Sequence, residues 1–150
     1  MCDADFNAYA RSTRYVHWSM KFHYKKIGAG FLRPVIPVEI MNGSEAIRYE
    51  VLVDSGADCN IVPAEIGELI GIDVEKGKKD FVGGITGGGF PYFIHTVALR
   101  VGGYSYTVPM GFMPDMPSMG YGVVGQKGFF EFFKVTFDLQ KAEIDIKLNE

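Results

Sequence analysis

Cysteine is scarce in this sequence of 150 residues, which contains only Cys2 and Cys59. Two cysteines cannot build the disulfide framework that stabilises many small secreted domains, so we expect no disulfide between them. A positively charged leader followed by an apolar stretch is also missing at the start of the sequence. Without such a secretory signal, the expected compartment is the cytoplasm.

Long apolar runs and an excess of basic residues are absent too. No stretch approaches the roughly 18 apolar residues of a membrane-spanning helix, so we expect no membrane partner. The formal net charge of −3 speaks against a nucleic-acid partner, because such domains carry a basic surface. Apolar residues make up 47% of the chain, which is typical of one globular domain with its own core.

Long helical patterns are scarce, whereas glycine is abundant. The 19 glycines indicate tight turns and hairpins rather than long helices. Short strand-like segments follow one another along the chain, with turn signals between them. This pattern predicts an all-β sandwich or closed barrel, with one or two short helices near residues 63–73 and 126–133.

The N-terminal part of the sequence divides into two pieces. Residues 1–13 are polar and patternless, and we interpret them as an arm before a domain that spans 14–150. From residue 14 onward, apolar and polar side chains alternate with the period of a strand that has one buried face. His17 and His23 lie on the polar face, where a solvated position is favoured over a metal site because no third ligand is near.

One aspartate stands in an unusual position. Residues 51–53 are typical of a buried strand, and this run ends in Asp54, followed by Ser55 and Gly56. A buried carboxylate is costly unless hydrogen bonds compensate it. A glycine allows a sharp turn that brings its N–H to the carboxylate, and a hydroxyl can anchor the loop. Taken alone, such a triplet more often opens an ordinary turn.

Further features, in order along the chain, resemble the retropepsin-like aspartic proteases of retroviral type. These are LVDSGAD at 52–58, the glycine-rich GGITGGGF at 83–90, and GVVG at 122–125 before a helix-like segment and a closing strand. The resemblance covers about residues 33–148. It implies the acid-protease barrel of that family, with one lobe per chain and a flap hairpin.

The resemblance implies peptide hydrolysis by two aspartates around one water, with no metal and no cofactor. The chain is too short for two lobes, and a second triplet is missing, since Ser/Thr-Gly does not follow Asp3, Asp5, Asp73, Asp80 or Asp115. The second acid must therefore come from another copy across a twofold axis. We predict a homodimeric aspartic endopeptidase that acts on peptides or unfolded proteins.

Site residues follow from the resemblance. Asp54, Ser55 and Gly56 are expected to be catalytic: the serine hydroxyl interlocks with the partner loop, and the glycine N–H contacts a catalytic carboxylate. Ala57 and Asp58 are expected to bind substrate, although Asp58 could equally cap a turn. The flap is expected to contribute further substrate contacts from Ile85, Thr86, Gly87, Gly88 and Phe90.

Two other segments have structural interpretations. Residues 123–125 are expected to support the active-site loop from behind, with Gly125 allowing close backbone approach. Cys59 could line a pocket, but a small buried side chain is favoured. The glycine-rich run at 83–89 is not a phosphate-binding loop, because Gly-Lys-Ser/Thr does not follow it at the start of a helix.

Other functions remain open at this point. The same fold could serve as a peptide-binding or dimerisation module with little or no proteolysis. An unrelated small β-barrel, with Asp54 merely capping a turn, is a further alternative. The N-terminal strand could add to the barrel, extend a dimer interface, or cover the substrate groove.

Overall fold

The computed structural model describes residues 19–83, 88–117 and 120–149, and strands make up most of it. Helices in this part are short: α1 (Ala64–Leu69) and a 3-10 helix (Val74–Lys76). The prediction of an all-β chain with one or two short helices is confirmed. The strands, in chain order, are β1 (Ser19–His23), β2 (Lys25–Ile27), β3 (Phe31–Arg33), β4 (Val35–Asn42), β5 (Glu45–Val53), β6 (Ile61–Pro63), β7 (Lys78–Gly83), β8 (Gly89–Val101), β9 (Tyr104–Met113), β10 (Gly122–Val124), β11 (Phe133–Asp138) and β12 (Glu143–Leu148).

A seven-stranded sheet forms the body of the molecule, in the order β4-β5-β10-β6-β9-β8-β7. Strand β4 also pairs with β8, so the sheet closes into a barrel, and β7 lies outside the closed ring. The β5–β10 pair is parallel, and it places Val53 opposite Val124. This pairing brings the ends of two distant segments together at the point where β5 stops.

Alternate side chains of the barrel strands fill its interior, as the twofold period of a strand requires. Fully buried members include Ile40, Val51, Val62, Leu99 and Phe112. Burying one such side chain contributes about 2 kcal/mol. The cluster therefore supplies much of the stability of the barrel that positions the loops.

Helix α1 begins directly after Pro63 and has Glu65 in its first turn, where a carboxylate complements the helix dipole. The chain leaves the helix at Gly71, whose φ of 79° suits glycine. A Cβ on Gly67 would lie 2.7 Å from the ring of Phe112, so the helix packs directly on β9. None of the helices in the described residues is long and apolar enough to cross a membrane.

The N-terminal strand joins a second sheet, in the order β1-β12-β11. Phe22 is buried opposite Ile144, and its sequence neighbours Lys21 and His23 are exposed, as the sequence pattern predicts. Met20, expected on the buried face, is 38% exposed because β1 is the outermost described strand of this sheet. The proposed arm, residues 1–13, and residues 14–18 lie outside the described residues.

The segment 126–133, expected to be helix-like, forms successive turns and no α-helix. The N–H of Phe130 donates to the carbonyl of Gly125 at 3.1 Å, one residue further than an α-helical bond. Gly128 has a φ of 93°, a left-handed conformation that a regular right-handed helix does not contain. The expected helix is therefore interrupted at this glycine.

Candidate active site

Asp54 lies immediately beyond β5, at the end of the closed ring of strands. Its N–H donates to the carbonyl of Val124 at 3.0 Å, and the preceding N–H of Val53 donates to the carbonyl of Pro34 at 2.9 Å. The side chain is half-buried. Backbone bonds on both sides therefore fix the position from which the carboxylate projects.

A tight turn follows Asp54. The N–H of Gly56 donates to the Asp54 Oδ1 at 2.9 Å, and the N–H of Ala57 donates to the Asp54 carbonyl at 3.1 Å. A Cβ on Gly56 would lie 3.2 Å from the same Oδ1, which is closer than most side chains tolerate. Glycine at this position lets the backbone N–H reach the carboxylate and restrict its orientation.

A second loop, residues 125–128, supports the turn from behind. The N–H groups of Gln126 and Lys127 donate to the carbonyls of Ala57 and Asp58, each at 2.9 Å. Any Cβ on Gly125 would collide with the backbone of Ala57. The two loops therefore touch backbone to backbone, in the close approach expected of Gly125.

Asn60 joins these loops, and sequence reasoning missed it. It is 1% exposed, and its Oδ1 accepts the N–H of Gly125 at 3.0 Å. Its backbone carbonyl accepts the N–H of Gly111 of β9 at 2.8 Å. The available signal was a polar residue placed directly before the apolar strand β6, where an amide side chain needs buried partners.

The other predicted residues of this loop face outward. Ser55 is exposed, and its carbonyl accepts the side-chain amide of Gln126 at 3.2 Å. Asp58 is also exposed, and its carboxylate makes no hydrogen bond with the described residues, so turn capping finds no support. Ala57 is half-buried. The outward-facing Ser55 and Asp58 side chains are accessible to a partner or a substrate.

The predicted flap is a hairpin of β7 and β8, paired as far as Gly83 and Gly89. Gly88 is exposed, and Phe90 is 47% exposed opposite Val82. Alternate residues of a strand share a face, so Phe90 lies on the same face as Tyr92. The expected contact residues Ile85, Thr86 and Gly87 lie outside the described residues.

Cys59 links the active-site loop to the flap strand β8. It is half-buried, and its Sγ lies 3.7 Å from the hydroxyl of Tyr92. Burial raises the pKa of the Cys59 thiol, and burial also raises the pKa of the Tyr92 hydroxyl. Both groups are therefore protonated at neutral pH, and the thiol is not the activated nucleophile of a cysteine protease.

The backbone architecture agrees with that of a retropepsin-like aspartic protease from Rickettsia conorii. The two structures match with a TM-score of 0.63 at 14% sequence identity, over 91% of this chain and 97% of the other. This chain has the retropepsin-like fold. Asp54 and its glycine-supported turn therefore occur in a retropepsin-like barrel, with the β7–β8 hairpin as its flap.

A second solved structure matches a smaller part of this chain. The EIAV protease complexed with the inhibitor HBY-793 matches with a TM-score of 0.48 and 22% identity, over 63% of this chain and 82% of that one. No protein-family model and no curated protein matches the sequence. The retropepsin-like likeness therefore lies in the fold and in the short motifs around Asp54.

Proposed function

We propose that this chain is one half of a homodimeric aspartic endopeptidase, in which the Asp54 carboxylates of two copies hold one water. The observation that supports this most is the Asp54 turn itself. The half-buried Asp54 carboxylate is oriented by the Gly56 N–H. The turn that carries it is bonded through its backbone to the loop of residues 125–128. That arrangement occurs at the end of a strand in a retropepsin-like fold.

In the proposed reaction, one carboxylate accepts a proton from the water while the other, protonated, donates to the scissile carbonyl. Two carboxylates a few ångströms apart cannot both ionise cheaply, so they share one proton and titrate as a pair. The Gly56 N–H keeps the Asp54 carboxylate oriented throughout. A preorganised site of this kind lowers the barrier because little rearrangement is needed.

Exposed apolar residues on β3, the strand just before Pro34, support a second copy as the partner. Phe31 is 66% exposed and Leu32 is 38% exposed, both on β3. This strand leads into Pro34, whose carbonyl accepts the N–H of Val53, the residue before Asp54. A copy that brings its own carboxylate to this end of the barrel would cover these side chains and remove them from water.

The proposed substrate is an extended peptide or an unfolded protein segment held between the loop and the flap. Backbone hydrogen bonds and pockets for alternate side chains are the usual means of binding an extended chain. Ala57 and Asp58 are proposed to contact it from the loop. The flap would contribute Ile85, Thr86, Gly87, Gly88 and Phe90. A cytoplasmic location stays a prediction from the sequence.

The test is the variant Asp54→Asn, with Asp73→Asn as its matched control. Asp73 is an exposed aspartate at the start of the 3-10 helix, where it pairs only with Lys76 among the described residues. We expect Asp54→Asn to abolish cleavage of an unstructured protein between pH 3 and pH 7, without loss of folding or dimerisation. The control should cleave like the wild type.

A mixing experiment tests whether the site is shared. Adding an equal amount of Asp54→Asn to the wild type should lower activity by about half after subunit exchange, and a large excess should abolish it. Activity unaffected by the variant would mean that each chain works alone. Wild-type protein that binds peptides but leaves them whole at every pH would identify a binding module.

A further inference from the structure

Tyr92 belongs to the flap strand β8 but is almost entirely buried, with 7% of its surface exposed. Its ring packs against the backbone of Gly111, where a Cβ would lie 2.7 Å from the ring and 3.1 Å from the carbonyl of Asn60. The N–H of Gly111 donates to that same carbonyl at 2.8 Å. The ring therefore rests on the peptide group that holds the catalytic loop.

The hydroxyl of Tyr92 lies between the catalytic loop and the outer strand of the flap. The thiol of Cys59 donates to it at 3.7 Å. Asp80 of β7 is the cross-strand partner of Tyr92; burial above all, together with the charge of Asp80, raises the pKa of the Tyr92 hydroxyl. Asp80 also accepts the N–H of Phe81 at 2.8 Å, so its carboxylate is held in place.

The flap has few other ties to the loop. In the described pairings, β7 is bonded only to β8. Most of its side chains are exposed, with the exception of the half-buried Val82. The flap is therefore tied to the rest of the barrel through β8. On that strand, Tyr92 is the buried side chain nearest the described end of the hairpin.

We propose that Tyr92 is a positioning residue that couples the base of the flap to the loop carrying Asp54, through its hydroxyl on Cys59 and its ring on Gly111. Peptide binding at the described flap strands would then be transmitted to the loop that carries Asp54, and loosening of one would loosen the other. This inference rests on the proposed function, because it assigns the two coupled parts to substrate binding and to catalysis.

The first experiment needs no substrate. Tyr92→Phe keeps the ring and removes the hydroxyl, and amide hydrogen exchange is followed in the flap strands and in residues 54–60. Tyr24→Phe is the matched control, since Tyr24 packs against the core beside the second sheet, its N–H donates to the carbonyl of Ala142 at 2.9 Å, and it has no hydrogen bond to the flap or to residues 54–60 among the described residues. We expect Tyr92→Phe to raise exchange at both places by about threefold or more, and the control at neither.

The second experiment measures peptide cleavage by the full chain. Loss of one weak thiol–hydroxyl hydrogen bond corresponds to a factor of about two to five in an equilibrium. We therefore expect Tyr92→Phe to lower kcat/KM by about that factor, chiefly through KM, with Tyr24→Phe close to the wild type. Cys59→Ala should have a similar effect, and the double variant should be little worse than either single one. Cys59→Ser keeps a donor and should restore part of the loss.

Distinct outcomes separate this inference from the proposed function. Unchanged exchange in Tyr92→Phe, equal changes in both tyrosine variants, or additive effects of Cys59→Ala and Tyr92→Phe would each overturn the coupling. If Tyr92→Phe raises exchange at both places and the wild-type protein cleaves no peptide, the coupling is supported and the protease is rejected. Increased exchange at the flap alone would show that Tyr92 only packs the hairpin, which also overturns the proposal.

Discussion

The loop that carries Asp54 and the flap that faces it are held in opposite ways. Behind the loop, the carbonyls of Ala57 and Asp58 accept the N–H groups of Gln126 and Lys127, and the buried side chain of Asn60 accepts the N–H of Gly125. In the flap, β7 pairs only with β8 among the described strands, and Phe81 is 59% exposed there. The proposed site therefore combines a firmly bonded loop with a hairpin that has few ties to the rest of the barrel.

The difference predicts two kinds of sensitivity. Changes behind the loop should reduce the stability of the whole domain, because the groups there are buried and backbone-bonded. Changes in the flap should leave stability nearly unaltered and act on substrate binding, because lids are drawn from the less stable parts of a fold.

Gly125→Ala should have the largest effect. The added methyl would meet the carbonyl of Cys59 at 2.9 Å and the backbone of Ala57, neither of which can yield as a flexible side chain does. We expect a loss of about 3 kcal/mol or more in the free energy of unfolding, measured by urea denaturation. Gly103→Ala, with open space around its Cβ, is the control and should unfold like the wild type.

Asn60→Ala should have an intermediate effect. It leaves the buried N–H of Gly125 without the acceptor that it now has at 3.0 Å. The expected loss is about 2 kcal/mol in the free energy of unfolding, from an unsatisfied buried donor. Asn42→Ala is the comparison: its amide donates to the carbonyl of Ile70 at 3.0 Å in a half-buried place, and its loss should stay below about 1 kcal/mol. Equal losses of stability in the two variants would show that the hydrogen bond of Asn60 stabilises the domain no more than that of Asn42.

The flap variants Phe90→Ala and Phe81→Ala should have the smallest effect on stability, within about 0.5 kcal/mol. They form a matched pair, because both rings are exposed, but Phe90 lies on the face of Tyr92 and Phe81 on the opposite face, beside Lys79. We expect Phe90→Ala to raise KM about fivefold, equivalent to roughly 1 kcal/mol of binding, and Phe81→Ala to leave KM unchanged. A larger effect of Phe81 would reverse the assignment of the faces.

Local patterns predicted most of the architecture. The alternation after residue 14 predicted β1, and the glycine-rich run predicted the hairpin of β7 and β8. These predictions succeeded because strand period and turn chemistry are properties of neighbouring residues. The segment 126–133 was different, since its composition favours a helix while Gly128 adopts a left-handed conformation within it. Whether residues 126–133 form a helix depends on the loop against which this segment packs.

The candidate site also has a part that adjacent residues reveal and a part that depends on residues far apart in the sequence. The triplet Asp54-Ser55-Gly56 could be recognised because one short turn contains the carboxylate and the N–H that holds it. Asn60 and Tyr92 could not be assigned, since a buried amide and a buried tyrosine look like many others until their partners are known. Those partners are Gly125, separated from Asn60 by 65 positions, and Cys59, separated from Tyr92 by 33.

The amino-acid sequence alone determined the strands, their turns and the carboxylate at the end of β5, because each arises from residues adjacent along the chain. How that carboxylate is supported, and what ties the flap to it, depends instead on residues that are far apart in the sequence. The reason is that closing the barrel brings distant backbone groups into contact, and buried polar groups then bond to whichever partners that closure supplies.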